Sequence, residues 1–172
     1  MSETGSKKGM QATLLDVSKR WGGNKKIALF TTHLDPFNVS TRRRQVQQIK
    51  PFMKSFLNDL ESEMSEIAVI LTGDFNIDYS SVNYQDMMEI FGSGVIDLQE
   101  QHGQASSKTF GGNEYHRKER TIDYAFLFER LSPNQTPPFL PLKLKYFHVI
   151  HQKPPQQVLS DHYPLSFTLS MY

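Results

Sequence analysis

A chain of 172 residues, 38% of them hydrophobic, is long enough to bury the core of one globular domain. Its 19 Lys and Arg against 18 Asp and Glu give a formal net charge of +1, which argues against a dedicated polyelectrolyte-binding protein with a large basic excess. The absence of cysteine excludes disulfides and thiolate metal sites, fits a reducing compartment and slightly favours the cytoplasm.

The N-terminal residues 1–8 are polar and contain no apolar signal-peptide core. We expect them to form a flexible tail, followed by a single domain over residues 9–172. No window of the sequence approaches the roughly 18 consecutive apolar residues of a membrane-spanning helix.

The first half of the chain predicts a hairpin, a long helix and a buried strand. Strands are predicted over residues 10–17 and 27–31, joined by a turn at residues 21–24. Apolar residues from Val46 to Met64 recur at steps of three and four, which indicates an amphipathic helix that Ser40 or Thr41 can cap. Pro51 is expected to kink this helix or split it in two.

Further strands dominate the rest of the chain. Residues 67–72 are a continuous apolar run closed by Gly73, which is typical of a strand buried on both faces. A shorter helix is predicted over residues 82–91, and strands over residues 121–128, 142–150 and from Leu165 onward. Residues 131–141 contain four prolines and are predicted to be a loop. This mixture of strands with two helical stretches predicts an α/β (α+β) sandwich.

Polar side chains that could do chemistry stand at the ends of these predicted strands. Proteins built on sheets place ligands at strand ends, where a rigid backbone aims side chains into a shared crevice. The residues concerned are His33, Asp35, Asp74, Asn76, Asp123, Asp161 and His162.

Asp74 and Asn76 point the same way if the chain between them is extended. A carboxylate beside an amide can hold a hard cation or orient an attacking water, but the same pair can also form a turn that satisfies local backbone amides. A calcium-binding EF loop starting at Asp74 is excluded, because its sixth and twelfth positions hold Tyr79 and Gln85 instead of Gly and Glu.

Asp161 and His162 offer a carboxylate for a metal next to an imidazole for proton transfer. The alternative is a cap or a salt link ahead of the last strand. His148 and His151 are interpreted as surface residues and not as zinc ligands.

Basic residues are concentrated only at positions 42–44 and 116–120. The first run is interpreted as a solvated helix face, although one of its arginines could reach a substrate phosphate.

Four short motifs, taken in order, resemble the endonuclease/exonuclease/phosphatase superfamily, the DNase I-like group of metal-dependent phosphoesterases. They are Thr32-His33-Leu34-Asp35, Gly73-Asp74-Phe75-Asn76, Arg120-Thr121-Ile122-Asp123-Tyr124 and Ser160-Asp161-His162. The residues of the first motif are most similar to those of sphingomyelinase-like members. The resemblance implies a four-layer αββα sandwich in which helices cover two face-to-face sheets.

The resemblance also implies cleavage of a phosphate ester assisted by Mg²⁺, or by Mn²⁺ or Ca²⁺ in its place. Asp161 is similar to a ligand of the catalytic metal. Asp74 and Asn76 are similar to the pair that orients the attacking water beside the metal and stabilises the developing charge.

The resemblance also implies roles for the two histidines of the motifs. His162 is similar to the imidazole at the scissile phosphate, and Asp123 to the carboxylate that orients it. His33 is similar to the second active-site histidine. An anionic phosphate ester needs charge neutralisation and an activated water to be cleaved, which agrees with this set of groups.

The chain departs from the family in its N-terminal part. Family members carry there an asparagine and a glutamate that complete the metal site, and an acidic partner for the first histidine. Only 32 residues precede His33, and Glu3 and Asn24 stand in the wrong context to replace these groups. The chain therefore resembles the C-terminal portion of such a domain, and we expect weak metal binding and weak or absent activity from it alone. Sheet left uncovered by the missing part favours a homo-oligomer or a second chain that covers it.

A non-catalytic binding or scaffold protein that retains the fold is the alternative, and a nucleic-acid-binding module fits the charge balance least. The substrate class is left open among nucleic acids, lipids, inositol phosphates and nucleotides. The loops at residues 76–84 and 102–120 are expected to border the cleft and set specificity.

Overall fold

The structure is a computed structural model that describes residues 8–60, 66–111, 118–132, 139–151 and 160–171. Within these ranges the chain forms strands and helices in mixed order. They are β1 (Met10–Asp16), α1 (Ser18–Trp21), β2 (Lys25–His33), α2 (Val39–Asn58), β3 (Glu66–Asp74), α3 (Val82–Phe91), β4 (Val95–Asp97), α4 (Leu98–Gln101), β5 (Asp123–Phe128), β6 (Leu142–Val149) and β7 (Leu165–Met171).

Five of the strands form one mixed sheet in the order β1-β2-β3-β5-β4. β2 and β3 are parallel, with α2 as the crossover between them, and the other neighbours are antiparallel. The predicted burial of β3 on both faces is confirmed, because residues 68–71 in its centre are all buried. β6 and β7 pair with each other in a separate antiparallel sheet.

Two apolar layers hold the fold together, one on each face of the five-stranded sheet. On one face α2 and α3 pack over side chains such as Phe30, Leu71 and Phe126. On the other face β6 and β7 pack over alternate residues of the same strands, including Ile70 and Leu127. This alternation follows from the period of two along a strand and produces the sandwich of helices and two sheets that the sequence predicts.

α2 is one continuous helix, so the predicted split at Pro51 is wrong. Its apolar face is buried against the sheet through Val46, Ile49, Met53 and Leu57, and this burial outweighs the roughly 3 kcal/mol that an interior proline costs a helix. The cap is also different from the prediction. Asn38, and not Ser40 or Thr41, accepts the hydrogen bond from the Thr41 backbone N–H at 2.9 Å.

Several boundaries differ from the sequence predictions. β3 continues through Gly73 to Asp74, and β5 begins at Asp123 instead of residue 121. A single helical turn, α1, precedes the predicted turn at residues 21–24 and overlaps it at Trp21. β4 and α4 are too short to carry a periodic pattern and were not predicted. The predicted tail at residues 1–7, Met64, and residues 133–138 of the proline-rich loop lie outside the described residues.

β1 forms one edge of the five-stranded sheet and pairs with β2 alone among the described strands. Leu15 in this strand is 41% exposed. An exposed edge strand agrees with the expectation of uncovered sheet, whereas the oligomer that would cover it stays a prediction. In the described part of the chain, no helix is both long enough and apolar enough to cross a membrane.

Candidate active site

The strand topology brings three of the motif residues next to one another, at the carboxyl ends of β2 and β3 and the start of β5. His33 ends β2 and is the register partner of Asp74, which ends the parallel strand β3. β5 runs antiparallel to β3, so its first residue, Asp123, is the partner of Asp74 on the other side. The sheet thus places an imidazole and two carboxylates side by side, which the separate motifs do not reveal individually.

Asp74 and Asn76 form a turn and face the site at the same time. The Asn76 backbone N–H donates to Asp74 Oδ1 at 2.8 Å, and its side-chain amide donates to Asp74 Oδ2 at 3.2 Å and to the Leu34 carbonyl at 3.1 Å. Asn76 has a φ of 52°, a left-handed conformation that Asn tolerates better than most residues. The interpretation of this pair as a turn is confirmed, and the turn fixes the Asp74 carboxylate. Its role in holding a cation or orienting a water stays a prediction.

His162 is held by Asp123 across the site. Its Nδ1 lies 2.9 Å from Asp123 Oδ2 and 3.1 Å from Oδ1, so the ring donates from Nδ1 and presents Nε2 on its other side. The salt link considered from sequence exists, but its partner is Asp123 in another strand. This hydrogen bond raises the pKa of His162 above its ordinary value, against the opposite effect of partial burial.

The backbone around this pair is fixed by Thr109 and Phe110. The buried Thr109 hydroxyl accepts from the Ile122 and Asp123 N–H groups, each at 3.0 Å, and so sets the start of β5. The Phe110 ring packs against the His162 imidazole with centroids 5.1 Å apart. The ring of His162 therefore has a single orientation supported from two directions.

The Nε2 atom of His162 lies between two carboxylates. Asp74 Oδ2 is 3.8 Å away and Asp161 Oδ1 is 4.0 Å away. Burial raises the pKa of Asp74, and the nearby charge of Asp123 raises it further, whereas its hydrogen bond from Asn76 acts in the opposite direction. A buried carboxylate with a raised pKa beside an imidazole is the kind of group that can accept a proton from water.

His33 contacts Asp74 from the opposite side. Its Nε2 lies 3.3 Å from Asp74 Oδ2 and 3.2 Å from the Lys8 ammonium. One ring nitrogen can either donate to the carboxylate or accept from the ammonium, so the tautomer of His33 decides which contact is a hydrogen bond. Lys8 belongs to the predicted flexible tail, but in the structure it lies at the site beside His33.

These groups line a cleft of about 510 Å³, within the size range of small-molecule sites. Five of the predicted residues border it, namely His33, Asp74, Asn76, Asp161 and His162. Asp123 lies behind His162, and Asp35 does not line the cleft. Lys8 and Arg120 add positive charge to its walls, and Phe37 adds an aromatic ring. Of the two loops expected to set specificity, Asn76, Phe110 and Arg120 reach the cleft.

The arginines at positions 42–44 do not line this cleft. Arg42 is buried, contrary to the prediction of a solvated face, and its Nη1 donates to the Asp35 carbonyl at 3.0 Å. Arg43 pairs with Asp86 at 3.0 Å, away from the cleft. His148 and His151 are exposed, as predicted.

The oxygen donors of the cleft fit a hard divalent cation only in part. Asp74, Asp123 and His162 each offer an atom, all within 4.8 Å of one another. Both Asp123 oxygens already face His162 Nδ1, which leaves Asp74 and Asp161 as the carboxylates at the cleft. Mg²⁺ is commonly bound by one or two carboxylates plus substrate phosphates, so this donor set suits a cation shared with the substrate better than a tight site in the free protein.

No known family profile matches the sequence, and no curated protein matches it. Solved structures do match. They include the endonuclease/exonuclease/phosphatase from Bacteroides vulgatus (TM-score 0.60, 20% identity, 88% of this chain and 52% of that chain) and the mannosyl-6-phosphatase of Bacteroides thetaiotaomicron (TM-score 0.58, 20% identity, 86% and 52%). The human Nocturnin catalytic domain with a bound sulfate anion also matches (TM-score 0.60, 16% identity, 95% and 54%).

These comparisons confirm the DNase I-like fold that the motifs predict. The chain spans about half the length of the solved structures that it matches, in agreement with a fold that lacks a part. At these identities the likeness establishes the fold, and the chemistry has to be argued from the residues themselves.

Proposed function

We propose that this chain carries a phosphate-ester hydrolysis site of the DNase I-like type, assisted by a divalent metal ion. The observation that supports it most is the placement of His162 Nε2 between Asp74 and Asp161, at 3.8 Å and 4.0 Å, with Asp123 fixing the ring from behind at 2.9 Å. Several structural neighbours are hydrolases of phosphate esters by name, which agrees with this reading.

In this proposal the phosphate lies in the cleft against His162. With its pKa raised by Asp123, the imidazole is more often charged and donates from Nε2 to a phosphate oxygen. Lys8 and Arg120, both at the cleft, neutralise further negative charge on the ester.

Asp74 is the proton acceptor in the same proposal. A water held by Asp74 and the Asn76 side chain attacks phosphorus, and its proton passes to Asp74. The new P–O bond forms as the ester P–O bond breaks, and the leaving oxygen departs with the electron pair of the broken bond. His33, 3.3 Å from Asp74, holds that carboxylate from the other side. Bound at Asp161 and Asp74, Mg²⁺ would supply charge neutralisation at the phosphate oxygens.

The small number of protein ligands has a consequence for rate. Enzymes typically turn over at about 1–10³ per second. We expect this chain alone to fall below that range because, among the described residues, Asp74 and Asp161 are the two cleft carboxylates that can anchor the metal. A turnover within that range would contradict the proposal of an incomplete metal site.

Replacing Asp161 tests the metal site separately from the reaction. Asp161→Asn removes one of the two carboxylates, and we expect the affinity for Mn²⁺, used as a spectroscopic probe of the site, to fall by about tenfold or more. The measurement is a Mn²⁺ titration followed by electron paramagnetic resonance. Asp59→Asn, an exposed residue at the end of α2, is the matched control and should bind as the unmodified chain does.

Equal Mn²⁺ affinity in Asp161→Asn and the control would argue for the alternative, a binding or scaffold protein that keeps the fold without using a metal.

A further inference from the structure

Phe37 is the most exposed large apolar side chain in the described part of the chain, at 83%. It borders the candidate active cleft, two residues beyond the motif that carries His33. A single exposed apolar side chain is common on protein surfaces, but this ring borders the cleft beside groups suited to a phosphate, where a ligand can contact it.

The loop that presents Phe37 is held in one conformation. The Asp35 carboxylate accepts hydrogen bonds from the Phe37 N–H at 2.8 Å and from the Asn38 N–H at 2.7 Å. Asn38 in turn caps α2 through the Thr41 N–H. The exposure of the ring is therefore built into an ordered turn, which lowers the entropy lost when a ligand binds to it.

The same loop is also tied to the body of α2. The Asp35 N–H donates to Gln45 Oε1 at 2.9 Å, and Arg42 Nη1 donates to the Asp35 carbonyl at 3.0 Å. These bonds fix the backbone that carries Phe37 relative to the phosphate-binding groups.

Charged groups surround Phe37 within the cleft. Lys8, Arg120 and Asp161 line it together with the catalytic candidates, and the Arg120 guanidinium lies 5.4 Å from the centroid of the Phe110 ring. The other aromatic ring of the cleft, Phe110, already packs against His162, so Phe37 is the ring left open to a ligand. An exposed aromatic ring beside these charged groups suits a ligand with one flat apolar group attached to a sugar phosphate. A lipid surface would instead require a continuous apolar rim.

We propose that Phe37 determines specificity by stacking on the base of a nucleoside phosphate whose phosphate group lies against His162. This inference rests on the proposed phosphoesterase site and names the substrate class for it. Stacking of a base on an aromatic side chain is tolerant of base identity, so the site accepts nucleoside phosphates without strong preference for one base.

Binding of three probes separates the contributions of the base, the sugar and the phosphate to affinity. Adenosine 5′-monophosphate, ribose 5-phosphate and inorganic phosphate are titrated by NMR into the chain in the presence of Mg²⁺. We expect adenosine monophosphate to bind about fivefold to 150-fold more tightly than ribose 5-phosphate, the effect of one stacked base. Phe37→Ala should remove this difference, whereas Phe37→Trp should keep it.

The matched control is Val82→Ala, because Val82 is 73% exposed but does not line the cleft. It should bind all three probes as the unmodified chain does. Inorganic phosphate should bind the Phe37→Ala variant unchanged, since the ring does not contact the phosphate.

The outcomes are distinguishable. If phosphate and ribose 5-phosphate bind but adenosine monophosphate binds no more tightly, or if Phe37→Ala leaves its affinity unchanged, the stacking role is wrong and the phosphoesterase proposal stands. If none of the three probes binds, both proposals are wrong. Binding to phosphatidylserine vesicles that depends on Phe37, without preference for the nucleotide, would overturn the inference in favour of a lipid surface.

Discussion

Gly73→Ala is expected to destabilise the chain by about 4 kcal/mol or more, a loss close to the whole free energy of unfolding of a domain at the lower end of the usual range of about 5–15 kcal/mol. A Cβ atom at Gly73 would lie 2.0 Å from the Thr32 carbonyl oxygen and 2.9 Å from the Thr32 carbonyl carbon and nitrogen. These are backbone atoms of the paired strand β2, which cannot turn aside as a flexible side chain can. Gly73 also has a φ of 141°, a conformation that side chains rarely adopt.

The close approach explains why glycine is needed one residue before Asp74. Thr32 and Gly73 are register partners at the carboxyl ends of β2 and β3, immediately before His33 and Asp74. Contact between the two backbones there sets the separation of the two side chains at the site.

Chemical denaturation measures the effect, with Gly103→Ala as the matched control. Gly103 also has a positive φ, of 73°, but a Cβ atom there would meet nothing within 4 Å. The control should therefore lose only about 1 kcal/mol from the backbone conformation. Equal midpoints for the two variants would mean that β2 and β3 do not approach as described.

Asp74→Asn is expected to lower the rate of phosphate-ester hydrolysis by about 10²- to 10⁴-fold, the usual contribution of a general base. The substitution keeps the size of the side chain but removes its ability to accept a proton. It also places an NH₂ group where Asp74 Oδ2 now accepts from the Asn76 amide or faces His33. Initial rates of the two proteins under the same Mg²⁺ concentration measure the loss.

Stability should change in a different direction from activity. Burial raises the pKa of Asp74 in the folded chain, so the stability it contributes is fully present below the pKa of the unfolded chain and is lost as pH rises through the higher, folded value. At neutral pH the ionised carboxylate opposes folding. We therefore expect Asp74→Asn to unfold at an equal or higher denaturant concentration than the unmodified chain, as found where function and stability compete.

Asp78→Asn is the matched control for activity, because Asp78 is close in sequence but binds Ser80 outside the cleft. Its rate should equal that of the unmodified chain. An Asp74→Asn variant that is as active as this control would remove Asp74 from the proposed proton transfer.

The elements that carry the site were predictable because each has a strong local pattern. β2, β3 and β5 are apolar runs followed or begun by polar motif residues, and β3 is buried on both faces as its composition indicates. Their arrangement into neighbouring strands follows from pairing between distant segments, which no local pattern encodes. The resemblance of the motifs to a known family predicted this arrangement, which periodicity alone does not predict.

Other features depend on tertiary contacts and escaped prediction for that reason. Pro51 does not divide α2, since burial of the helix face against the sheet outweighs its local penalty. Arg42 stands in a run of charges but is buried, with its guanidinium bound to the Asp35 carbonyl. Lys8 and Phe37 lie in polar or turn segments with no periodicity, and only the folded chain brings them to the cleft.

Hydrolysis of bis(p-nitrophenyl) phosphate, measured with and without Mg²⁺ for the unmodified chain and for His162→Ala, tests the central proposal most directly. His148→Ala, which replaces an exposed histidine away from the cleft, is the matched control. We predict slow hydrolysis that requires Mg²⁺, that falls by about 10²-fold or more in His162→Ala, and that is unchanged in the control. Equal rates for the unmodified chain and His162→Ala, or rates that do not depend on Mg²⁺, would contradict a metal-assisted phosphoesterase site at His162.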